Sequence, residues 1–304
     1  MKRLILLGCG AAALVFAQLA GGPPLPVKLV SEWAKLPRGM YMGEASGVAV
    51  DKDDNVWVFN RGKAPVMKFD KTGKLLDTWE IPVSASHGIK IDPEGNVWTV
   101  DVFGHSVKKW ARDGRMLMVI GNAGAQAGNN ESKDAFNRPT GIAFEPNGDF
   151  WVSDGYVNSR VVKFNKNGEY VMQIGGKKGT ADGEFDTVHD VAIDKRGRIY
   201  VADRENRRVQ IFSPDGKFLT KWTHLGSPWG FAFNEKESTL YICDGYNSRI
   251  VKVNLEGQIL GTYGQYGKIP GRFDFVHHMA VDSNGAIYAA EIKNWRVQKF
   301  AWQN

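Results

Sequence analysis

Short apolar runs separated by polar turns recur along the chain, and six of them share one pattern. Each begins with a polar or aromatic residue, continues with small and apolar residues, and ends on an acid or an amide. The six runs are 46–51, 87–92, 140–145, 189–194, 229–234 and 277–282. Successive runs begin 41, 53, 49, 40 and 48 residues apart. A period of this size indicates an internally repeated architecture.

Within each repeat, the apolar runs have the length of strands and are separated by hairpin turns. A first strand is followed by a turn such as 92–96, a second strand such as 97–100, a loop and two further strands. Asp-Gly and Asn-Gly pairs, which favour tight hairpins, recur at 113–114, 147–148, 167–168, 215–216 and 284–285. Each repeat therefore predicts a four-stranded antiparallel sheet.

Six such sheets cannot bury both of their faces alone. The sequence therefore predicts an all-β fold, a six-bladed β-propeller in which the sheets pack around one axis. The last repeat supplies only three strands before 301–304, whereas the apolar segment 27–33 precedes the first repeat without a partner. We expect this N-terminal strand to complete the last blade and close the ring.

The first 20 residues have a different character. Two basic residues precede an apolar stretch from Leu4 to Ala20, and two glycines and two prolines follow. This order is typical of a secretory signal peptide, so we interpret 1–20 as the signal and 21–304 as the propeller, exported to the periplasm or the exterior. Lipoprotein anchoring through Cys9 is less favoured, because the apolar run before it is too short for a complete hydrophobic region.

Charge and cysteine content narrow the classes of function. The formal net charge is +6, but basic residues alternate with acidic ones, so nucleic-acid binding is not indicated. Beyond the first apolar stretch, none approaches the roughly 20 residues that span a bilayer. Outside the predicted signal the only cysteine is Cys243, so the exported domain is expected to rely on its core rather than on an intrachain disulfide.

Histidine occupies the first position of the second, fourth and sixth repeats. In a propeller this position begins the innermost strand at one mouth of the channel, and alternate blades of six are about a third of a turn apart. His87, His189 and His277 should therefore converge on the axis. Each alone would be interpreted as structural, but three in alternating repeats favour a metal site suited to Zn²⁺ with an open fourth position.

The remaining histidines are interpreted differently. His278 follows His277 directly, and neighbouring residues of a strand point to opposite faces, so His278 should point away from the metal. His105 and His224 fall in loops and are expected to be polar loop residues. The loop between the second and third strands opens on the same face as the histidines. Candidate residues there are Arg61, Tyr156, Arg204 and Tyr246.

A second recurring element contains asparagine followed closely by arginine and an apolar β-branched residue. It resembles the repeats of the NHL family. Because the same residue types recur in several blades, we interpret them as ties between loops rather than as catalytic groups. They are Asn158, Arg160, Asn206, Arg208, Asn247, Arg249, Asn294 and Arg296.

Longer matches refine the resemblance. They are Ser-Gly-Val-Ala at 46–49, Phe-Asn-Arg-Gly at 59–62, His-Gly at 87–88, Ser-Asp-Gly-Tyr-Val-Asn-Ser-Arg at 153–160, Val-His at 188–189, Val-Ala-Asp-Arg-Glu-Asn at 201–206 and Phe-Asp-Phe-Val-His at 273–277. Over essentially all of 40–300 the chain resembles the peptidyl-α-hydroxyglycine α-amidating lyases, zinc propellers that complete C-terminal amidation of peptides. The resemblance implies a lyase that converts an α-hydroxyglycine-type carbinolamide into an amide and glyoxylate.

The resemblance also implies residue roles. The zinc ligands would be His87, His189 and His277. Tyr156 and Arg61 match a catalytic tyrosine and arginine, and Arg204 matches a second active-site arginine. Tyr156 would act as a general base, with its pKa lowered by Zn²⁺ and the arginines. Arg61, or alternatively Arg204, would bind the substrate carboxylate.

One departure concerns a second cation. In the family an aspartate follows the third zinc histidine and helps to hold a structural Ca²⁺, and His278 stands there in this chain, so Ca²⁺ is not favoured. The expected partner is a small molecule or peptide with a terminal carboxylate, with a separate monooxygenase supplying any hydroxylated glycine. Two alternatives remain open: a non-catalytic propeller that binds a protein or glycan, and a metal-dependent hydrolase or lactonase.

Overall fold

The computed structural model describes residues 21–121 and 126–303, and it is built from strands. Twenty-four strands form six four-stranded antiparallel sheets, the blades of a six-bladed propeller. The predicted fold class is therefore confirmed. The predicted signal peptide at 1–20, with Cys9, lies outside the described residues. Cys243 is buried and free.

The first three blades follow the repeats in order. Blade 1 contains β2 (Ala45–Val50), β3 (Val56–Asn60), β4 (Val66–Phe69) and β5 (Leu75–Trp79). Blade 2 contains β6 (Ser86–Ile91), β7 (Val97–Asp101), β8 (Ser106–Trp110) and β9 (Met116–Ile120). Blade 3 contains β10 (Pro139–Phe144), β11 (Phe150–Asp154), β12 (Arg160–Phe164) and β13 (Tyr170–Gly175).

The last three blades complete the ring. Blade 4 contains β14 (Val188–Ile193), β15 (Ile199–Asp203), β16 (Arg208–Phe212) and β17 (Phe218–Trp222). Blade 5 contains β18 (Pro228–Asn234), β19 (Thr239–Asp244), β20 (Arg249–Asn254) and β21 (Ile259–Tyr263), with a 3₁₀ turn at Gly245–Asn247. Blade 6 contains β22 (Val276–Val281), β23 (Ile287–Glu291), β24 (Arg296–Trp302) and, from the N-terminal side, β1 (Val27–Val30).

The N-terminal strand closes the ring as the sequence predicts. β1 pairs antiparallel with β24, and Val27 faces Trp302. The strand ends at Val30, earlier than the predicted 27–33. Trp33 turns into the core between blades 6 and 1, where its ring lies 5.3 Å from that of Phe69 and 5.0 Å from that of Tyr288.

The acid that closes each repeat opening organises the first hairpin. Asp51 accepts the backbone N–H groups of Asp53 and Asn55 and, through Oδ2, the indole N–H of Trp57 at 3.0 Å. Asp92 binds the indole of Trp98 in the same way at 3.0 Å. A carboxylate that accepts local backbone donors fixes a turn. The recurring acid thus joins the turn to the buried second strand.

The hydrophobic cores lie between neighbouring blades. One cluster combines Trp98 and Val107 of blade 2 with Phe150, Val152 and Phe164 of blade 3. Second strands such as β11 are buried throughout, whereas outermost strands such as β17 are largely exposed. No helix within 21–121 and 126–303 has the length and apolar character to cross a membrane.

The asparagine and arginine residues of the second element tie loops together, which confirms their interpretation. Asp154, the last residue of β11, accepts Nδ2 of Asn158 at 2.8 Å and Nε of Arg160 at 2.9 Å. Arg160 also donates to the carbonyl groups of Ser132 and Ala135 in the loop that enters blade 3. The corresponding pairs in the other blades are Asn206 and Arg208 on Asp203, Asn247 and Arg249 on Asp244, and Asn294 and Arg296 on Glu291.

These buried acids need their arginines. Burial raises the pKa of Asp154, Asp203 and Glu291, although the facing guanidinium groups oppose the shift. Arg160 and Asp154 are both completely buried, so neither charge can be compensated by solvent. The pair therefore contributes mainly by avoiding an unpaired buried charge.

We expect Arg160→Ala to lower the free energy of unfolding by about 3–5 kcal/mol, because the substitution leaves Asp154 buried without its cation. Chemical denaturation measures the change. Arg115→Ala, at an exposed turn of blade 2, is the control and should stay within about 0.5 kcal/mol of the unsubstituted protein. A loss below about 1 kcal/mol for Arg160→Ala would contradict this account of the tie.

Candidate active site

Each of the six innermost strands contains a β-bulge at the first residue of its repeat. In β14, the partners on β15 change from Val188↔Asp203 to Val191↔Val201, which leaves one extra residue on β14. A bulge bends the strand and redirects its side chains. The first residues of the six repeats, all within these register shifts, are Ser46, His87, Thr140, His189, Trp229 and His277.

The structure brings the three predicted histidines together. The ring centroids of His87 and His277 are 4.5 Å apart, those of His87 and His189 4.8 Å, and those of His189 and His277 4.9 Å. All three side chains are buried, with at most 2% of any residue exposed. Three imidazoles from blades 2, 4 and 6 thus form a nearly regular triangle.

A backbone carbonyl of the next blade orients each of these rings. Nδ1 lies 2.5 Å from the Thr140 carbonyl oxygen in His87, 2.5 Å from that of Trp229 in His189, and 2.6 Å from that of Ser46 in His277. A carbonyl only accepts, so each Nδ1 donates and each Nε2 keeps its lone pair. Such outer hydrogen bonds fix the tautomer and orientation of metal-binding histidines.

The electrostatic environment keeps these rings neutral. Burial lowers the pKa of His87, His189 and His277 well below the usual range for histidine. The positive charges of Arg61 and Arg204 lower the pKa of His87 further. Neutral imidazole is the form that binds a metal ion.

The hydroxyl group of Tyr156 completes the cluster. It lies 3.0 Å from Nε2 of His87 and 3.1 Å from Nε2 of His189. A phenol has one proton, so it can donate to only one of the two nitrogens. The site consequently holds more lone pairs than hydrogens, which is the donor set a divalent cation satisfies. These histidines could hold a metal ion.

His278 lies closer to the site than predicted, and the expectation that it points away is wrong. Its ring centroid is 4.6 Å from that of His277 and 5.3 Å from that of His87. The bulge in β22 interrupts the alternation of side chains there. Coordinating atoms of His87, His277 and His278 lie within 4.8 Å of one another, which makes them a second possible ligand set.

The orientation of His278 favours the set that contains His189. Nδ1 of His278 faces the Ser46 carbonyl at 2.8 Å, and Nε2 points toward Asp190, 3.8 Å away. Its nearest approach to His277 joins the two Nδ1 atoms at 2.9 Å, and Nδ1 of His277 is the nitrogen already directed at Ser46. Nε2 of His278 therefore faces a carboxylate rather than the triangle.

Equivalent loop positions in three blades carry the other predicted residues. The backbone N–H groups of Arg61, Tyr156 and Arg204 each donate to a carbonyl just before the innermost strand of the same blade, at 3.0, 3.3 and 3.1 Å. This tether brings the loop after the second strand over the start of the first. The loop geometry thus explains why these three residues surround the histidines.

The two arginines differ in their surroundings. The Arg61 side chain is 36% exposed, and its Nη1 donates to Oε2 of Glu44 at 2.6 Å. The Arg204 side chain is only 12% exposed and pairs with Glu205 at 2.8 Å. The guanidinium carbon of Arg204 lies 5.4 Å from the ring centroid of Tyr156 and 4.8 Å from that of Trp229.

The pKa of Tyr156 differs from the prediction. Arg204 and Arg61 do lower it, but burial raises it by more, so the net pKa lies above the usual value for tyrosine. A buried phenol resists ionisation because a charged oxygen loses its hydration. The two arginines alone therefore do not make Tyr156 a base at neutral pH.

The remaining predicted residues lie outside the triangle. Tyr246 is 48% exposed, and its hydroxyl donates to Glu205 at 3.0 Å, so it belongs to the rim. His105 accepts the backbone N–H of Arg138, and His224 binds a loop carbonyl, as expected of loop histidines.

Sequence reasoning assigned no role to Trp229 or to the residues around a neighbouring cleft. Trp229 is the first residue of blade 5, and its ring centroid lies 5.1 Å from that of His189. A cleft of about 390 Å³ borders Tyr156 and Arg61 and is also lined by Arg138 and Phe103. Trp229 was visible as a break in the repeat, whereas no repeated pattern marks Arg138 or Phe103.

Comparisons with known proteins agree with this architecture. The sequence profile of the NHL repeat matches residues 136–164 and 185–212. Human NHL repeat-containing protein 3 is 30% identical over 292 residues, which cover 88% of this chain and 82% of that protein. The chain belongs to this family of NHL-repeat propellers. The family includes proteins with and without an enzymatic name.

Two further similarities bear on activity and fold. A Caenorhabditis elegans protein named "Probable peptidyl-alpha-hydroxyglycine alpha-amidating lyase" is 28% identical over 295 residues, covering 84% of this chain and 82% of that one. A streptogramin B lyase structure superposes with a TM-score of 0.61 at 13% identity, covering 91% of this chain and 97% of that one. The first relationship supports a lyase-like propeller, and the second supports the fold alone.

The residues around His278 do not suit Ca²⁺. Calcium takes six to eight oxygen ligands in proteins. Here the only nearby carboxylate that faces His278 in the described chain is Asp190, which already accepts the backbone N–H of Phe231 at 2.9 Å. Lys90 is close enough for its charge to lower the pKa of His278. A histidine and a lysine would repel the cation.

We expect His189→Ala to weaken zinc affinity by more than about 100-fold, beyond the loss typical of an outer-sphere change, because it removes one of three converging Nε2 atoms. His278→Gln is the matched variant and should keep near-stoichiometric zinc. Elemental analysis after dialysis and competition with a chromophoric chelator measure both. The reverse result, with metal lost only in His278→Gln, would assign the ligands to His87, His277 and His278.

We expect a calcium-selective chelator to shift the melting temperature by less than about 2 °C, because no ion stabilising the folded state would be removed. Differential scanning calorimetry with and without added Ca²⁺ tests this. A zinc-binding chelator provides the comparison and should lower the melting temperature. Stabilisation that rises with Ca²⁺ concentration would overturn the conclusion drawn from His278.

Proposed function

We propose that this chain is an exported, zinc-dependent lyase that cleaves an α-hydroxyglycine-type carbinolamide into an amide and glyoxylate. One observation carries the proposal: the Tyr156 hydroxyl lies within hydrogen-bonding distance of two of three converging imidazoles, beside two arginines. The similarity to a relative named as an amidating lyase supports the choice of reaction. The signal-like sequence at 1–20 supports export.

The proposed ligands are Nε2 of His87, His189 and His277. Zn²⁺ bound there would supply Lewis-acid stabilisation of a substrate oxygen. Three neutral imidazoles with fixed Nδ1 hydrogens leave a coordination position open toward Tyr156, as in catalytic rather than structural sites. The donor set fits zinc, since imidazole nitrogen is among its preferred ligands.

The proposed reaction is an elimination within one substrate molecule. The carbinolamide hydroxyl loses its proton, its carbon–nitrogen bond breaks, and the carbon becomes the aldehyde of glyoxylate. The nitrogen leaves with the electron pair of that bond and takes up one proton, giving the amide. No water is consumed and no net redox change occurs, so the protein must mainly move a proton and hold the carboxylate.

Tyr156 is the proposed proton acceptor. Its oxygen is held beside the Nε2 atoms, where the substrate hydroxyl would bind. Its phenolate form would be favoured by the two arginines together with a cation at the histidines, against the effect of burial. The phenol so formed could return the proton to the departing nitrogen, which is general acid–base catalysis by one group.

The arginines have distinct proposed roles. Arg204 lies over the ring of Tyr156, is largely buried and keeps a fixed position between that ring and Trp229. It would stabilise negative charge on the phenolate oxygen. Arg61 is more exposed and borders the open cleft, where it would meet the carboxylate of the substrate.

Two other functions are less well supported. A non-catalytic propeller would agree with the relationship to NHL repeat-containing protein 3, whose name implies no reaction. A hydrolase or lactonase was expected to use a carboxylate-rich metal site. In the described part of the chain, the hydrogen bonds of His87, His189 and His277 instead involve backbone carbonyls, Tyr156 and His278.

We expect Tyr156→Phe to reduce kcat by more than about 100-fold while zinc content stays unchanged, because the substitution removes only the proton acceptor. Glyoxylate release from an N-acyl-α-hydroxyglycine measures the rate. Tyr246→Phe is the control at a near-copy of the motif in blade 5 and should change kcat by less than about tenfold.

An unaltered rate in Tyr156→Phe would remove that residue from the mechanism. No glyoxylate from the zinc-loaded unsubstituted protein would remove the lyase function itself and leave the binding propeller as the better account.

A further inference from the structure

The cleft beside Tyr156 contains an arginine that the proposed mechanism does not use. Arg138 lines the cleft of about 390 Å³ together with Tyr156, Arg61 and Phe103. Arg138 is exposed, lies just before β10, and so belongs to the same blade as Tyr156. A charged group at this place could act on substrate specificity.

The backbone of Arg138 is joined directly to the loop of Tyr156. Its carbonyl accepts the backbone N–H of Tyr156 at 3.3 Å, and its own N–H donates to Nδ1 of His105 at 3.2 Å. Its φ angle is 61°, in the left-handed region that residues other than glycine seldom adopt. Hydrogen bonds on both sides thus hold the residue in an uncommon conformation.

The side chain of Arg138 is supported by an aromatic ring. Its guanidinium carbon lies 5.2 Å from the ring centroid of Phe103, which is 57% exposed. Stacking of a guanidinium on a ring restricts its orientation and leaves its N–H groups available at the edge. An exposed phenylalanine in this position would also contact an apolar group attached to a bound anion.

The balance of charge distinguishes Arg138 from the other two arginines of the site. Arg61 is paired with Glu44 and Arg204 with Glu205. Arg138 makes no ion pair with any carboxylate in residues 21–121 and 126–303. The uncompensated positive charge of the cleft is therefore that of Arg138, with Arg61 as a partly neutralised neighbour.

We propose that Arg138, supported by Phe103, is a specificity-determining residue that forms with Arg61 the subsite for a free carboxylate. This inference rests on the proposed function, because the carboxylate is that of the α-hydroxyglycine unit. A planar guanidinium edge pairs with a carboxylate through two charge-assisted hydrogen bonds. The cleft would then select acids over amides or esters of the same acyl-hydroxyglycine, and its apolar lining would accept the acyl group.

Binding of stable analogues tests the subsite without turnover. N-benzoylglycine carries the carboxylate, and N-benzoylglycinamide replaces it with a neutral amide. Isothermal titration calorimetry on the zinc-loaded protein should show the acid binding at least about tenfold more tightly than the amide. Arg138→Ala should abolish that preference by weakening the acid alone, and Arg138→Lys should restore part of it because the charge returns without the planar edge.

Further variants separate the specific effect from a general one. Phe103→Ala should weaken binding of the acid by a smaller factor, since it removes the support and not the charge. Arg115→Ala removes an exposed arginine at the outer turn of blade 2 and should leave both affinities unchanged. Circular dichroism checks that each variant is folded, and Arg138→Lys keeps the test valid if Arg138→Ala is unstable.

Kinetics provide the second readout. With N-benzoyl-α-hydroxyglycine, Arg138→Ala should raise KM by at least about tenfold and change kcat by less than about threefold, as expected when binding is lost equally from the ground and transition states. Equal acid and amide affinities in the unsubstituted protein, or an acid preference that survives in Arg138→Ala, would overturn the subsite. Acid preference lost in the variant but no glyoxylate from the unsubstituted protein would support the subsite and refute the lyase reaction.

Discussion

A hydrogen bond from one blade to the next determines the orientation of every histidine in the triangle. Each Nδ1 is held by the carbonyl of the first residue of the following blade, so no single blade contains a complete ligand position. The contact between His277 and Ser46 joins blade 6 to blade 1 across the closure of the ring. The site therefore depends on the ring closing in register, which the pairing of β1 with β24 provides.

The propeller uses its charged residues for two separate purposes. Buried acids at the ends of the second strands bind the recurring asparagine and arginine side chains and the loops that enter each blade. At the channel mouth the arginines are instead few, and two of them are partly neutralised by adjacent glutamates. Repetition thus identifies the residues that stabilise the fold, and departure from repetition identifies those that surround the histidines.

The sequence was sufficient for the architecture and for the convergence of the histidines, because both follow from the repeat. Strand length, turn residues and the count of repeats predicted six blades, and one shared position predicted the triangle. It was insufficient for His278, since a bulge disrupts the alternation from which its direction was inferred. The raised pKa of Tyr156 reflects burial by distant parts of the chain, and Arg138 acquires its surroundings only when separate loops meet at the cleft.

Closure by the N-terminal strand has a consequence for how the chain folds. Val27 must find Trp302, so the last hydrogen-bonded ladder of blade 6 joins segments from opposite ends of the described chain. Such a long-range contact forms late and slowly, because most of the loop entropy must be lost first. During synthesis β24 would remain an unpaired edge strand until β1 reaches it, and unpaired edges favour aggregation. Assembly of the histidine triangle would then be among the final events of folding.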